Sequence, residues 1–191
     1  MKGSSVHIVA DHEFAKLNAL LNSVIDPKRE LPDSPFRSHL GHWRFEEFDW
    51  LLGPGAWASL CAFATRSGDD SILVAVLDPD PVAYYKAHFG YYNWCVVPTS
   101  LTGKEYWRTL ETSPPESAAD SMFVNSSVVA WTSPAAKWAI WGERRTGLCV
   151  LAADGPGYSA DWKDLEWAME IANYEQGAGF TERFAKQFAG S

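Results

Sequence analysis

Two histidines close together in the sequence are the first candidates for metal chemistry. His39 and His42 lie three residues apart in "SHLGHW", a spacing that would place both imidazoles on one face of a helix. A zinc site needs three or four ligands, and no nearby cysteine or carboxylate completes this set. We therefore expect solvated or hydrogen-bonded loop histidines, and we predict no metal site.

Two aspartates form a second candidate group. Asp78 and Asp80 follow a hydrophobic segment in "LDPDP", and a carboxylate pair there could hold a divalent cation, because hard cations prefer oxygen ligands. The same residue types are typical of a strand-to-helix turn in which Asp80 caps a helix that begins at Pro81. The turn is the favoured interpretation.

The charged stretch "GERRTG" is the third candidate. Arg144 and Arg145 could present their guanidinium groups to an anion with Glu143 as a base, and the flanking glycines also fit a hairpin turn whose charges face water. The sequence has no P-loop, no dinucleotide-binding fingerprint and no GxSxG motif. We predict no catalytic residues and no cofactor, although a Ser–His–Asp set assembled only by the fold stays open.

The overall charge argues against several classes of partner. The chain of 191 residues carries 16 basic and 24 acidic side chains, a formal net charge of −8. Nucleic acids and anionic membranes are disfavoured as partners, because binding to either needs clustered Lys and Arg. A cationic partner would be attracted over a long range.

The aromatic content is high for a chain of this length. Ten Trp, seven Tyr and ten Phe make up 14% of the residues, which is more aromatic area than one small core needs. We therefore expect some of the rings to line a groove or a partner surface.

Length, cysteines and the N-terminal sequence indicate the class of protein. We predict one domain over residues 1–191. Cys61, Cys95 and Cys149 lie far apart among apolar residues, which is typical of buried, reduced thiols. The first residues are not typical of a secretory signal, so we expect none, and no segment approaches the roughly 18 apolar residues of a spanning helix. A soluble, cytoplasmic protein is expected, and its oligomeric state stays open.

The spacing of apolar residues predicts an α+β fold, with a central antiparallel sheet flanked by N-terminal and C-terminal helices. Segments 128–132, 137–141 and 148–152 are predicted to form a three-stranded meander. In its middle strand Trp138 points to one face and Trp141 to the other. Helices are predicted at 11–26, 45–53, 81–90, 102–111, 159–176 and from 181, and strands at 71–78 and 93–98; segment 56–66 fits either type.

The predicted helix at 159–176 carries carboxylates interleaved with aromatic residues. Between Asp161 and Glu175 it has five acidic residues against one lysine, together with Trp162, Trp167 and Tyr174. A solvated surface would account for the charges. Carboxylates among surplus aromatic rings are also what a surface for a basic protein would present.

Four segments together resemble a known class of proteins: "FGYYNWCVVP", "TGKEYWRTLE", "SAADSMF" and "VVAWTSPAAKWAIWGERRTGLCVLA". They are similar to small bacterial immunity proteins, the cytosolic antidotes encoded beside polymorphic or contact-dependent toxins. The resemblance covers residues 71–152. It implies an acidic, non-enzymatic protein that binds a cognate toxin domain tightly and blocks its active site or its movement.

Two hypotheses of function follow. The first is an immunity protein whose cognate toxin is basic. Its expected contacts are Trp141, Glu143 and Arg144 on the hairpin and Asp164, Glu166, Trp167 and Glu170 on the late helix. The alternative is a small-molecule-binding protein or hydrolase with an aromatic-lined pocket, built around His39, His42, Asp78 and Asp80.

Overall fold

A central antiparallel sheet organises the structure, a computed structural model that describes residues 7–158 and 161–189. Its strands are β1 (His42–Glu47), β2 (Ser71–Asp78), β3 (Trp94–Pro98), β4 (Val128–Thr132), β5 (Trp138–Glu143) and β6 (Leu148–Ala153). They lie in the order β1-β6-β5-β4-β2-β3, and all neighbours are antiparallel. This arrangement confirms the predicted α+β fold and the meander β4-β5-β6.

Helices cover both faces of this sheet. They are α1 (Asp11–Val24), α2 (Phe48–Leu51), α3 (Trp57–Ser67), α4 (Ala87–Phe89, preceded by a π-helix at Pro81–Lys86), α5 (Gly103–Glu111), α6 (Leu165–Gln176) and α7 (Ala178–Phe188). One core contains α2, α3 and α5, and the other contains α1, α6 and α7. Among the described helices, none combines the length and the apolar character needed to cross a membrane.

The alternation of side chains in β5 explains the two cores. Trp138 and Ile140 lie in the core under α3, whereas Ala139 and Trp141 lie in the core under α1, α6 and α7. This alternation is the predicted one. Because both faces are covered, every residue of β5 and β6 is buried, and Trp141 lies under other elements rather than on an open face.

Local capping bonds hold two helices where the sequence predicted them. Thr102 Oγ1 accepts from the Glu105 N–H at 3.3 Å, and Glu105 Oε2 accepts from the Thr102 N–H at 2.8 Å, which is a complete capping box at α5. Asp80 accepts from the N–H groups of Val82 and Ala83 at 2.8 and 2.6 Å. The expected turn and cap at Asp80 are thus confirmed.

The prediction of a helix over 45–53 was wrong for its first three residues. Residues His42–Glu47 form the edge strand β1, and only Phe48–Leu51 is helical. Phe45 is paired with Val150 of β6, more than 100 residues away in sequence. A local apolar pattern carries no information about a backbone partner so distant in sequence. The pairing with β6 overrides the local helix propensity.

The late helix is shorter than predicted. It begins at Leu165 rather than at residue 159, and residues 159–160 lie outside the described part of the chain. Before it, Lys163 exchanges both backbone hydrogen bonds with Phe45 at 3.0 Å, so this segment lies along the sheet edge instead. The final helix starts three residues earlier than predicted, at Ala178, and segment 56–66 is helical.

Close packing between α2 and β5 requires a glycine at position 142. A Cβ on Gly142 would lie 2.6 Å from Cys149 Sγ and 2.9 Å from the Phe48 ring, so only glycine lets α2 pack this near to β5.

Cys95 and Cys149 are buried free thiols, while Cys61 is a half-buried one. Desolvation by burial raises the pKa of Cys95 to about 12, so this thiol is held in its protonated form.

Candidate functional site

The predicted hairpin contacts Trp141 and Glu143 lie in the interior, each 2% exposed. The Trp141 indole N–H donates to Glu143 Oε1 at 2.8 Å, and the Leu31 backbone N–H donates to the same oxygen at 2.7 Å. Arg145 Nη2 donates to the other carboxylate oxygen, Oε2, at 3.3 Å. Neither Trp141 nor Glu143 is on the surface, which corrects the prediction that they contact a partner.

The physical reason for this burial is the loop that follows α1. Leu31 of that loop is 1% exposed and lies over the end of β5. Desolvation by this cover raises the pKa of Glu143, and the donors from Leu31 and Trp141 lower it in part. Glu143 therefore fastens the loop to the sheet.

Arg144 is partly exposed, but its donors are used within the chain. Nε donates to the Ser126 carbonyl at 2.8 Å and Nη2 to the Phe123 carbonyl at 2.9 Å. Nη1 forms an ion pair with Asp49 Oδ1 at 3.1 Å, and the guanidinium lies 4.8 Å from the centre of the Phe48 ring. This side chain joins the loop before β4 to α2.

The predicted contacts on the late helix remain at the surface. Asp164, Glu166 and Glu170 are exposed and Trp167 is half-buried. Asp164 is also the N-cap of α6, because its Oδ1 accepts from the Trp167 N–H at 3.0 Å. Tyr174 follows Trp167 by seven residues, hence on the same helix face, and is 88% exposed.

Trp167 also lines a cleft of about 380 Å³ beside the edge strand β1. One wall comes from β1, α2 and α3, and the other comes from the segment that leads into α6. We call it the tryptophan cleft, lined by Glu46, Glu47, Trp50, Ser59, Asp161, Trp162, Lys163 and Trp167.

The tryptophan cleft carries net negative charge. Glu47 and Asp161 are exposed, and no basic side chain in the described part of the chain forms an ion pair with either. Glu46 is mostly buried, and its Oε2 lies 3.6 Å from Lys163 Nζ. Three carboxylates thus share one ammonium group, so the cleft attracts cations.

The aromatic walls of the cleft are held in place by packing. Trp50 and Trp162 have ring centres 6.2 Å apart at an interplanar angle of 83°, and Trp162 also packs against Phe63 at 5.6 Å. Trp162 is 7% exposed, and its indole N–H has no acceptor among residues 7–158 and 161–189. A buried donor without an acceptor is uncommon in folded proteins.

The four side chains of the enzymatic alternative do not converge. The His39 ring lies 3.4 Å from the Ala136 carbonyl, and His42 begins the edge strand β1. Asp78 ends β2, which is separated from β1 by the three strands β6, β5 and β4. Within the described ranges, no three His, Cys, Asp or Glu residues form a group that could hold a metal ion.

Among the residues of the tryptophan cleft, Trp167 was an expected partner contact, and Asp161 and Trp162 were noted on the predicted acidic helix. The predicted helix over 45–53 included Glu46, Glu47 and Trp50. The predicted helix over 159–176 included Trp162 and Lys163. The sequence feature that points to these residues is local: both "EEFDW" and "DWKDLEW" place carboxylates beside tryptophans. The two segments lie side by side only because the backbone of Phe45 pairs with that of Lys163.

Comparison with known proteins finds no match to this chain, whether to a protein-family model, a curated protein or a solved structure.

Proposed function

We propose that this chain is a non-enzymatic binding protein of the cytoplasm that neutralises a basic toxin domain, as its resemblance to immunity proteins implies. The observation that carries the proposal is the tryptophan cleft, in which three indole rings and three carboxylates surround one lysine. The toxin domain would be held there and along the adjoining face of α6.

The aromatic residues supply anchors for such a partner. Tryptophan and tyrosine are the residue types that most often dominate binding energy at protein interfaces, especially where they line a pocket. Trp50 and Trp167 are half-buried, so part of each ring is available. Tyr174 is 88% exposed on the same face of α6 as Trp167, which extends the surface along the helix.

The acidic residues supply attraction to a basic partner. Glu166 and Glu170 are exposed on α6 next to the cleft, and the chain as a whole has a net charge of −8. Reversal of both residues to Lys should slow association with the toxin domain, most visibly at low salt. An unchanged association rate would remove this helix from the interface.

Growth rescue tests the proposal directly. The tagged protein is used to isolate the basic protein that it retains from source cells, and that protein is then expressed alone or with one of three forms of this chain. The forms are wild type, the cleft variant Glu47→Lys with Asp161→Lys, and the control Glu111→Lys with Glu116→Lys. All four altered residues are exposed, and both variants change the net charge equally.

The proposal requires that the retained protein stops growth when expressed alone. Wild type and the control variant should restore growth, whereas the cleft variant should not. Equal rescue by the cleft variant, or a retained protein without toxicity, would contradict the proposal.

A further inference from the structure

We infer that the tryptophan cleft receives an arginine side chain of the partner, and that Lys163 competes with this arginine for Glu46. This inference rests on the proposed function for the origin of the arginine. It adds the chemical group that the cleft recognises and a residue within the cleft that limits the affinity.

The aromatic walls suit a planar cation. Trp50 and Trp167 line the cleft and are half-buried, so a guanidinium group can stack on the exposed part of either ring, while the edge-to-face packing of Trp162 on Trp50 holds the Trp50 ring in place. Guanidinium groups stack on aromatic faces and are less strongly hydrated than ammonium groups. The chain itself uses this contact, because the Arg66 guanidinium lies 5.1 Å from the centre of the Tyr158 ring.

The carboxylates of the cleft complement the forked donors of arginine. Glu47 and Asp161 are exposed and have no ion-pair partner in the described chain. A guanidinium has five N–H donors in a fixed plane and can bind two carboxylates at once. A quaternary ammonium ion has no donors for them, so these two carboxylates favour arginine over such a ligand.

Lys163 is an internal cation already placed at this site. Its backbone is fixed to Phe45 by two hydrogen bonds of 3.0 Å, which keeps its side chain beside Glu46. The distance of 3.6 Å between Lys163 Nζ and Glu46 Oε2 is an ion pair but longer than a charge-assisted hydrogen bond. An entering guanidinium would replace this contact with a closer one, at the cost of displacing the lysine.

The indole N–H of Trp162 indicates a peptide-borne arginine rather than a free guanidinium ion. This donor is buried without an acceptor within the described residues, and arginine side chains contain no acceptor. In the complex that we infer, a backbone carbonyl next to the arginine supplies this acceptor.

Titration with short peptides tests the inference. The probes are acetyl-Gly-Arg-Gly-amide and acetyl-Gly-Lys-Gly-amide, and binding is followed by the NMR signals of the tryptophan indole N–H groups. The proteins are wild type, Lys163→Met, Glu47→Gln and the control Lys137→Met, in which an exposed lysine at the distant β4–β5 turn is replaced.

We expect the arginine peptide to shift the Trp50, Trp162 and Trp167 signals and to bind more tightly than the lysine peptide. Lys163→Met should tighten arginine binding by about threefold or more, Glu47→Gln should weaken it by a similar factor, and Lys137→Met should leave it unchanged. Equal binding of the two peptides, or equal affinity of Lys163→Met and wild type, would overturn the inference.

The outcome is separable from that of the growth test. Rescue that depends on Glu47 and Asp161, combined with no response to the arginine peptide, would reject the arginine site and keep the proposed function. A response to the peptide without rescue by wild type would reject the toxin and keep the arginine site.

Discussion

Trp141 with Glu143 and Trp167 with Glu47 are the same pair of residue types in two different settings. At the end of β5, the Glu143 carboxylate receives donors from Trp141 and Leu31 at 2.8 and 2.7 Å and is 2% exposed. In the tryptophan cleft, Glu47 is exposed and has no ion-pair partner within the described residues. Residue type therefore does not distinguish a structural carboxylate from one available to a ligand.

The difference is whether the chain supplies the donors itself. A buried carboxylate is tolerated only where hydrogen bonds and charges replace its hydration, and the loop around Leu31 provides both the cover and a donor for Glu143. The side chain of Glu47 keeps its contact with water, so an external cation can replace that water. One carboxylate should consequently matter for stability and the other for binding.

The largest expected effect is the loss of the structural carboxylate. Glu143→Ala removes the acceptor for the Leu31 and Trp141 N–H groups and the partner of Arg145. Leaving these groups unpaired should lower the free energy of unfolding by about 2–4 kcal/mol. Urea denaturation followed by tryptophan fluorescence measures the change.

Glu47→Ala is the matched control for this experiment. Its side chain is exposed and lies in the cleft, so the free energy of unfolding should change by less than about 0.5 kcal/mol. If both alanine variants were equally stable, the contrast between the two carboxylates would be lost.

The second prediction concerns the two tryptophans. Trp141→Phe removes the indole N–H that donates to Glu143 from a buried position, which should cost about 1–2 kcal/mol of unfolding free energy. Trp167→Phe alters a half-buried ring and should cost about 0.5 kcal/mol or less. Thermal and urea unfolding of both variants provide the measurement, and a larger loss for Trp167→Phe would reverse the assignment of the two regions.

How far the sequence predicts these regions depends on the range of the interactions involved. The helix that follows Thr102, the cap of Asp80 and the face to which Trp138 points depend on residues within a few positions of each other, and all three were predicted correctly. The burial of Glu143 depends on Leu31, 112 residues away. The local pattern of "GERRTG" predicts an exposed turn for its charged residues. Only the tertiary fold shows that the loop around Leu31 covers Glu143.

The tryptophan cleft was missed for the same reason. Its two walls meet where Phe45 and Lys163 exchange backbone hydrogen bonds, and those residues are 118 positions apart in the sequence. Helix periodicity correctly predicted that Trp167 and Glu170 lie at the surface. It gave no indication that Glu46, Glu47 and Trp50 line a cleft together with Trp167, because strand pairing leaves little trace in the apolar pattern of a single edge strand.

The third prediction sharpens the role of α6 in positioning the cleft. Asp164→Ala removes the oxygen that accepts from the Trp167 N–H at 3.0 Å, and loss of an N-cap should lower the unfolding free energy by about 1 kcal/mol. The variant should also weaken binding of the arginine peptide, because the first turn that carries Trp167 frays. Asp161→Asn is the control, since Asp161 lines the cleft without capping the helix; it should weaken peptide binding while leaving stability unchanged.

The smallest expected effect is the pH dependence that Glu143 confers. Desolvation raises its pKa above the ordinary value of 4.5 despite the opposing charge of Arg145, and the charge of Glu30 adds to the rise. A carboxyl group whose pKa is raised in the folded state binds its proton more tightly there. Its contribution to stability is complete below 4.5 and is lost as the pH rises through the folded-state pKa.

Glu143→Gln stays neutral over this range and keeps an oxygen acceptor for Leu31 and Trp141. The stability of wild type relative to Glu143→Gln should therefore fall as the pH rises above 4.5 and through the raised pKa of Glu143. Urea denaturation of both proteins at each pH measures this difference, in which the titration of all other groups cancels. Parallel stability curves would mean that the hydrogen bonds from Leu31 and Trp141 and the charge of Arg145 balance the desolvation of Glu143.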